Sequence, residues 1–482
     1  MVQKNSLAKD MKTRHLVMIG FGGAIGVGFF VGTGETISQA GALGALIAYF
    51  VGSVIVYSVL LSLGEMGAYL PNTGSFGDYA QKFINPFTGY YVYWAYWLNC
   101  VLGNAIQFIG IGFLMQKWLP DSPLWIWILL SCALVFVANA YKVRFFAEVE
   151  FYLSAIKVGA ILIFLLCGLS VIIYNLYTLG FGLDAFSRVF QNFYDSSAHT
   201  FFPNGILAVF SAIVFISYAF AGTEVIGVAI GETADPHKAM PYAVKATMWR
   251  LLVFFIGSVF IVSTFLPHSD ARITESPFVA VLDIWNVPYA GSIMNVVIIV
   301  AILSSSNTGI YGSARMFYSL SQKGFLPKVF SRVNKNQIPI YSLIVSTAVS
   351  LVSLLCIWIN PQEVINALII IAGLSMMLVW MSVGVSQYNF RKWYKNILGK
   401  KLEDLPYRTP YTPYTQIIGV FGCAIPIVVS SIEGSYRVSV WYTLALVVVC
   451  YIGYYFTKRF NKNINNGISD EEFLKNTMKE IK

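Results

Sequence analysis

The chain has 482 residues, of which 57% are hydrophobic and only 11% are charged, and its mean hydropathy is +0.67. A soluble domain carries about 25% charged residues, so this composition excludes a soluble protein and predicts an integral membrane protein. The net charge of +9 does not indicate a nucleic-acid partner, because the basic residues recur in alternate loops and do not form one continuous patch.

Twelve apolar segments predict twelve transmembrane helices between an N-terminal tail, 1–14, and a C-terminal tail, 458–482. Each segment has roughly the 20 residues that a bilayer-spanning helix needs, and the first has no signal-peptide cleavage site. A further stretch, 276–291, is too short and polar to span and is expected to form an outer loop with a short helix. The predicted spans are 15–36, 42–64, 88–116, 123–141, 147–176, 204–232, 245–267, 290–320, 339–359, 363–389, 414–433 and 438–457.

The distribution of basic residues predicts how this bundle is oriented. With the N-terminus inside, four of the 32 lysines and arginines fall in outer loops, Lys157 lies deep within a span, and the other 27 lie on the inner side, in loops, in tails or near the inner ends of spans. Such an excess on one side follows the positive-inside rule. It predicts an even number of helices, both termini in the cytoplasm, and a multi-pass protein of the cell inner (cytoplasmic) membrane. The outer four are Lys117, Arg188, Arg272 and Arg437.

Cysteine and histidine spacing predicts neither a metal site nor a cofactor. The six cysteines are scattered without a CxxC pair, and the four histidines are isolated from one another. Such spacing does not fit a disulfide framework or a metal-binding motif. A nucleophile–base pair is also missing from the pattern, so we do not expect an enzyme.

The first span contains five glycines in the stretch MIGFGGAIGVGFF, 18–30. Each costs roughly 1 kcal/mol relative to alanine inside a helix, so the run needs an explanation. A phosphate-binding loop would need a preceding strand, and glycines four apart, such as Gly22 and Gly26, also form ordinary helix-packing faces. The third interpretation is a broken helix, whose free N–H and carbonyl groups bind substrates in many secondary transporters.

The broken-helix interpretation predicts a partner at the matching place of an inverted repeat. Five spans later, FISYAFAGTEVIGVAIGE (215–232) places Gly222, Thr223 and Glu224 in the middle of a span. Each interrupted segment is the first span in a set of five predicted spans. This agreement in position favours two broken helices that face each other.

Six segments taken together resemble the amino acid–polyamine–organocation (APC) superfamily, and closely the bacterial permeases for lysine and aromatic amino acids. The resemblance covers nearly the whole chain, from about Arg14 to Arg459. The segments are GGAIGVGFFVGTG (22–34), LGEMGAYLPNTGSF (63–76), AEVEFYLSAIKV (147–158), AFAGTEVIGVAIGETADPHKAMPYAV (219–244), SSNTGIYGSARMFYSL (305–320) and NFRKWY (389–394).

The resemblance implies an all-α membrane protein with twelve transmembrane helices in a transporter domain, 15–457. Two inverted five-helix repeats of the leucine-transporter type would cover about 15–176 and 204–389, with two further helices at about 414–457. The implied function is import (symport) of an amino acid with protons by alternating access. An amino-acid exchanger (antiporter) of the same fold is the alternative, and a channel or receptor is a more distant one.

An amino acid presents a carboxylate and an ammonium group that both need partners inside the membrane. Free N–H groups at the start of a half-helix suit the carboxylate, and free carbonyls suit the ammonium. The expected donors are Gly26, Val27 and Gly28, and the expected acceptors are Phe220, Ala221 and Gly222.

Two further residues are expected at the substrate. The superfamily pattern implies that Tyr218 is an aromatic gate above it, although ordinary packing would also explain Tyr218 and Phe220. Gln107 stands where many relatives carry an acid. Its uncharged amide favours a neutral or aromatic substrate over a cationic one, although TGETISQAGALGAL (33–46) resembles the lysine permeases and keeps a cationic substrate as the alternative.

Lys157 is a charged residue within an apolar span. A lysine near a helix end can extend to the headgroups, but Lys157 lies about 10 Å further along the helix than Glu150, the last acidic residue before it. Charge inside a membrane is costly and usually functional. The resemblance implies that this ammonium replaces the sodium ion that bridges the first and eighth helices in sodium-coupled relatives. Its expected neighbours on the eighth helix are Ser304, Ser305 and Asn307, which could equally make plain interhelical hydrogen bonds.

Glu224 is the second candidate for proton coupling, because a carboxylate at a helix break in the membrane is expensive. Its alternative role is a structural partner of the broken backbone. On the inner side, several charged residues are candidate cytoplasmic-gate pairs, although most loop charges are simply solvated. These residues are Glu232, Asp235, Lys238, Arg250 and Arg315.

Overall fold

The chain is almost entirely helical. A computed structural model describes residues 7, 9–72, 74–196, 199–432 and 437–460. Within these ranges nineteen α-helices are joined by turns and short 3-10 segments, and β-pairing is limited to two isolated bridges. This confirms the predicted all-α class.

The helices range from short half-helices to long rods. In chain order they are α1 (Thr13–Ala24), α2 (Val27–Phe30), α3 (Gly32–Tyr69), α4 (Ser75–Phe83), α5 (Pro86–Gln116), α6 (Leu124–Ala140), α7 (Val143–Thr178), α8 (Leu183–Val189), α9 (Gly205–Phe220), α10 (Val225–Ala229), α11 (Pro236–Leu251), α12 (Gly257–Phe265), α13 (Arg272–Glu275), α14 (Pro277–Ile284), α15 (Ala290–Gln322), α16 (Ile340–Ser350), α17 (Pro361–Asn396), α18 (Tyr414–Ile432) and α19 (Arg437–Phe460).

Ten helical segments of the described chain are long and apolar enough to cross a membrane, and α6 is a shorter apolar helix. The first of the ten, Val27–Tyr69, contains a sharp break at Gly41 with φ 75° and ψ 171°. This break lies between the predicted spans 15–36 and 42–64. The arrangement is that of a multi-pass membrane protein.

The stretch 276–291 forms α14 and the start of α15, as the expected short helix before a span. Phe278 on α14 is buried, and its ring lies 5.2 Å from that of Phe29, 5.1 Å from that of Phe30 and 5.0 Å from that of Phe164. Aromatic contacts at these separations stabilise packing beyond the area they bury. The short helix α14 is therefore anchored on α2.

Helix α7 has one exposed face and one buried face. The side chains of Tyr152, Ile163 and Leu166 are 64–65% exposed, as suits lipid contact. The buried positions recur every three or four residues, which is one face of an α-helix. Along this face lie Glu150, Ser154, Lys157, Ile161, Phe164 and Gly168. Glu150, Ser154 and Lys157 therefore point into the bundle.

A buried ion pair joins α3 to α17. The Arg391 guanidinium donates to both oxygens of the Glu65 carboxylate, at 2.7 and 2.5 Å. Gln387 donates to the same carboxylate at 2.8 Å, and so does the backbone N–H of Thr409 at 2.5 Å. Glu65 is fully buried, so these donors compensate for a charge that water does not reach.

We expect Arg391→Met to destabilise the folded protein by about 3–5 kcal/mol, because it leaves the Glu65 carboxylate buried without its counter-charge. The measurement is thermal unfolding of the protein purified in detergent. The control is Lys392→Met on the exposed neighbour, which should change the melting temperature little. Equal losses in the two variants would contradict the importance of the pair.

Candidate functional site

The first helix is broken where its glycines cluster. Helix α1 ends at Ala24, the backbone is extended at Ile25 (φ −94°, ψ 90°) and Gly26 (φ −138°, ψ −151°), and α2 begins at Val27. In the described part of the chain, the N–H groups of Gly26, Val27 and Gly28 make no hydrogen bond. Three backbone donors are therefore free at the start of α2, as the broken-helix interpretation predicts.

The carbonyls released by this break are taken up by two side chains. The Lys157 ammonium, which is fully buried, donates to the carbonyl of Gly22 at 2.7 Å and to that of Ile25 at 3.2 Å. The Ser305 hydroxyl donates to the carbonyl of Gly23 at 2.8 Å. Helices α7 and α15 thus supply the hydrogen bonds that the helix itself would otherwise have made.

A second break separates α9 from α10. Helix α9 ends at Phe220, and Gly222 has φ 103°, a conformation that glycine adopts without strain. The N–H of Gly222 donates to the Glu224 carboxylate at 2.9 Å. Glu224 is buried, and its carboxylate also forms hydrogen bonds with the side chains of Tyr96 on α5 and Trp380 on α17.

The two breaks touch through glycine backbone. A Cβ added to Gly23 would lie 2.5 Å from the carbonyl oxygen of Gly222, and one added to Gly222 would lie 2.6 Å from the carbonyl carbon of Gly23. Neither distance is possible for real atoms, so larger residues at these two positions would force the broken helices apart. The glycines are thus needed for close approach as well as for the bend.

A cavity of about 50 Å³ lies beside both breaks. Its wall combines the broken segments with residues of α5 and α15. The residues that line it are Gly23, Ala24, Gly26, Val27, Gly28, Tyr96, Asn99, Cys100, Gly103, Gln107, Tyr218, Ala219, Ala221, Gly222, Val225, Ser305, Thr308 and Gly309.

Most of the predicted substrate residues line this cavity, and Phe220 does not. Its ring is buried 4.6 Å from that of Phe255 and 6.0 Å from that of Tyr49, and its carbonyl accepts the N–H of Thr223 at 3.3 Å. Packing therefore accounts for the Phe220 side chain, as the alternative interpretation allowed. Tyr218 does reach the cavity.

Two polar atoms at the cavity lack partners. Gln107 Oε1 and Thr308 Oγ1 are buried and make no hydrogen bond with any described residue. Gln107 faces the first break, since a Cβ on Gly26 would lie 3.0 Å from Gln107 Oε1 and 2.8 Å from Ser305 Oγ. Because unpaired buried polar atoms are costly, these two suit a ligand that supplies hydrogen bonds.

Glu150 has a different place from the one the sequence analysis gave it, which was that of the last acidic residue near the end of the helix. The residue lies on the inward face of α7 and is fully buried. Its carboxylate accepts hydrogen bonds from Ser304, from Ser154 at 3.0 Å and from Asn307 at 3.0 Å. Of the three neighbours predicted for Lys157, Ser304 and Asn307 therefore bind Glu150, whereas Ser305 binds the broken helix. The spacing 150, 154, 157 on one helix face is the sequence signal that would have revealed this.

Among the described side chains, the candidate gate residues form one buried pair, Glu232 with Arg315. Arg315 Nε donates to Glu232 at 2.8 Å, and the Tyr311 hydroxyl donates to the same oxygen at 2.7 Å. The Glu232 side chain is 0% exposed and the Arg315 side chain 1%. Lys238 instead pairs with Asp235 at the surface, at 3.6 Å, and the side chain of Arg250 lies outside the described residues.

Comparison with known proteins shows which family the chain belongs to. The family described as "Amino acid permease" matches residues 15–466. The chain is 40% identical over 475 residues to the putative histidine permease of Bacillus subtilis (strain 168), covering 98% of each protein. It is 40% identical over 451 residues to the amino-acid permease RocE of the same organism, covering 94% of this chain and 95% of RocE.

A third relative is the lysine-specific permease LysP of Escherichia coli (strain K12). It is 34% identical over 427 residues, which cover 87% of this chain and 86% of LysP. The family match, residues 15–466, includes both breaks together with α7 and α15. The chain belongs to the amino acid permease family of membrane transporters.

Proposed function

We propose that this protein is a secondary active transporter that imports an amino acid by proton-coupled alternating access. The observation that carries the proposal is the meeting of two broken helices at Gly23 and Gly222, beside a cavity and a buried lysine. A channel would need charges or carbonyls along an open pore, whereas here free backbone groups converge on one point.

The helices are proposed to form two inverted repeats of five, followed by two further helices. In support, the break between α1 and α2 and the break between α9 and α10 occupy the first span of each five. The excess of basic residues on one side supports the location in the cytoplasmic membrane with both termini inside. Exchange of one amino acid for another would use the same site and remains the alternative to net uptake.

The substrate carboxylate is proposed to bind the free N–H groups of Gly26, Val27 and Gly28. The ammonium is proposed to bind the carbonyl end of α9, where Ala221 lines the cavity and its carbonyl accepts no hydrogen bond from a described residue. Donors and acceptors at the ends of half-helices carry the partial charges that suit these two groups. Tyr218 would close over the bound molecule.

A neutral polar or aromatic side chain suits the rest of the cavity better than a cationic one. Among the described residues that line it, none is charged. Gln107 Oε1 and Thr308 Oγ1 offer unpaired hydrogen-bonding atoms, which a heteroaromatic ring such as imidazole could satisfy. The name of the putative histidine permease of Bacillus subtilis is consistent with this choice.

Lys157 is proposed as the proton-responsive group. When protonated, its ammonium binds the Gly22 and Ile25 carbonyls and ties the broken helix to α7. Loss of the proton removes this tie and frees the bundle to move to the inward-open state, where the buried Glu232–Arg315 pair would have to separate. Glu224 is the alternative coupling residue, although its carboxylate already holds the backbone of the second break.

Lys157→Met should abolish uptake driven by a pH gradient while amino-acid binding persists, because methionine has similar length but no proton to release. Lys157→Arg should also fail, since arginine does not release its proton at accessible pH. We expect accumulation in vesicles to fall at least about tenfold, the equivalent of about 1.4 kcal/mol. The control is Lys142→Met at the exposed start of the same helix. If either Lys157 variant accumulates the amino acid as well as the wild type does, Lys157 is not the coupling residue and Glu224 becomes the leading candidate.

Gly26→Ala should weaken substrate binding by about tenfold or more. The added methyl group would meet the Ser305 and Gln107 side chains at the free N–H groups, while the φ of −138° is open to alanine. The matched control is Gly32→Ala, because a Cβ at Gly32 has no neighbour within 4 Å. Binding is measured by scintillation proximity with radiolabelled substrate. An unchanged affinity in Gly26→Ala would argue against a carboxylate at this break.

A competition screen with all twenty amino acids should show inhibition by neutral or aromatic members and little by lysine or arginine. Gln107→Glu should shift the preference toward cationic substrates, since it adds a carboxylate to a cavity wall that is otherwise uncharged in the described chain. Gln116→Glu, at the far end of the same helix, is the control. Competition by lysine or arginine alone would show that the proposed specificity is wrong.

A further inference from the structure

Glu150 is a buried carboxylate that the proposed cycle leaves without a role. It lies seven residues before Lys157 on the inward face of α7, a rise of about 10 Å. Its hydrogen-bond donors are all neutral: Ser154 on its own helix, and Ser304 and Asn307 on α15. A buried carboxylate with only neutral donors is costly, so a charge nearby is needed to balance it.

Gly22 connects Glu150 to Lys157. The Gly22 carbonyl accepts a hydrogen bond from the Lys157 ammonium at 2.7 Å. On the same residue, an added Cβ would overlap the Glu150 carboxylate, so this carboxylate lies directly against the Gly22 backbone. The two charges therefore flank one residue of the broken helix.

Glu150 also ties the broken helix to α15. Ser154, which donates to Glu150, is equally placed to donate to the Met18 carbonyl of α1 at 3.1 Å. Asn307 on α15 donates to the carboxylate and accepts a hydrogen bond from Asn139 of α6 at 2.8 Å. The carboxylate is thus the common acceptor of groups on helices that alternating access must move relative to one another.

We infer that Glu150 is a further coupling residue. Its carboxylate is the counter-charge that holds the Lys157 ammonium at the break, and it makes the packing of α7 against α15 depend on whether Lys157 is protonated. The inference rests on the proposed role of Lys157 in proton-coupled transport. With Lys157 protonated, the two charges balance inside the bundle. Once Lys157 releases its proton to water, Glu150 remains as an uncompensated buried charge. Hydration of this carboxylate then favours the separation of α7 from α15.

The test compares Glu150→Gln with Glu148→Gln in the full-length protein reconstituted in vesicles. Glutamine retains the size of the side chain, and the free Oδ1 of Asn139 allows the neighbouring amides to turn and accept its N–H₂ group. Glu148 lies on the same helix but is partly exposed and pairs with Arg14, so its variant controls for the loss of a carboxylate on α7.

Glu150→Gln should lose gradient-driven accumulation, while substrate binding persists. The pH profile of amino-acid exchange should move to lower pH by about one unit or more, because Lys157 loses the opposite charge that favours its protonated form. Glu148→Gln should resemble the wild type in both measurements. A merely structural role for Glu150 would lower abundance or stability without moving the pH profile.

Lys157→Met, measured in parallel, separates this inference from the proposal on which it rests. Wild-type accumulation by Lys157→Met would overturn proton coupling through Lys157 itself. Loss in Lys157→Met together with an unchanged pH profile in Glu150→Gln would overturn the role of Glu150 alone. The double variant, Glu150→Gln with Lys157→Met, removes both charges and should melt at a higher temperature than either single variant. Additive losses of stability would show that the two charges are not coupled.

Discussion

The hydrogen bonds from the Lys157 ammonium to the carbonyls of Gly22 and Ile25 are the interaction on which the site depends. A helix interrupted inside a membrane leaves backbone groups that water and lipid do not satisfy. At the first break the carbonyls are satisfied by Lys157 and Ser305, while the N–H groups on the other side of the break stay free. The two sides of the break therefore differ, because the protein compensates the carbonyls and leaves the N–H groups free, as the proposed binding of a substrate carboxylate requires.

Direct contact between Gly23 and Gly222 brings the two breaks together. Since the two backbones touch, the free donors of one break and the carbonyl end of the other are brought to the same cavity. Glu224 binds the N–H of Gly222 at the second break and also forms hydrogen bonds with Tyr96 of α5 and Trp380 of α17. The first break is bound by groups of α7 and α15, so each break is held by a different pair of helices.

The sequence alone was sufficient for the helical class, the position of both breaks and the part of the cavity wall that the broken segments form, because glycine clusters and apolar length act locally. It was not sufficient for Glu150, since treating the carboxylate as a mark of the helix end ignored that residues 150, 154 and 157 share one face. Phe220 was placed in the site because it adjoins Gly222, whereas the helical turn before the break points its ring toward Phe255. The partnerless atoms of Gln107 and Thr308 depend on how α5 and α15 pack, which no local pattern contains.

The buried charges of this protein are paired in two ways. Some form direct ion pairs between helices, and others bind neutral groups on neighbouring helices. Glu65–Arg391 and Glu232–Arg315 are direct ion pairs, at 2.5 and 2.8 Å, and separating either pair would expose two charges to a poor solvent at once. In the described chain, Glu150 and Lys157 make no such direct bridge, and each binds neutral groups on neighbouring helices. A change of one proton alters the balance between them without first breaking an ion pair. This arrangement suits a charge pair that must be reset in every cycle, whereas the direct pairs suit connections that stay closed until the bundle moves.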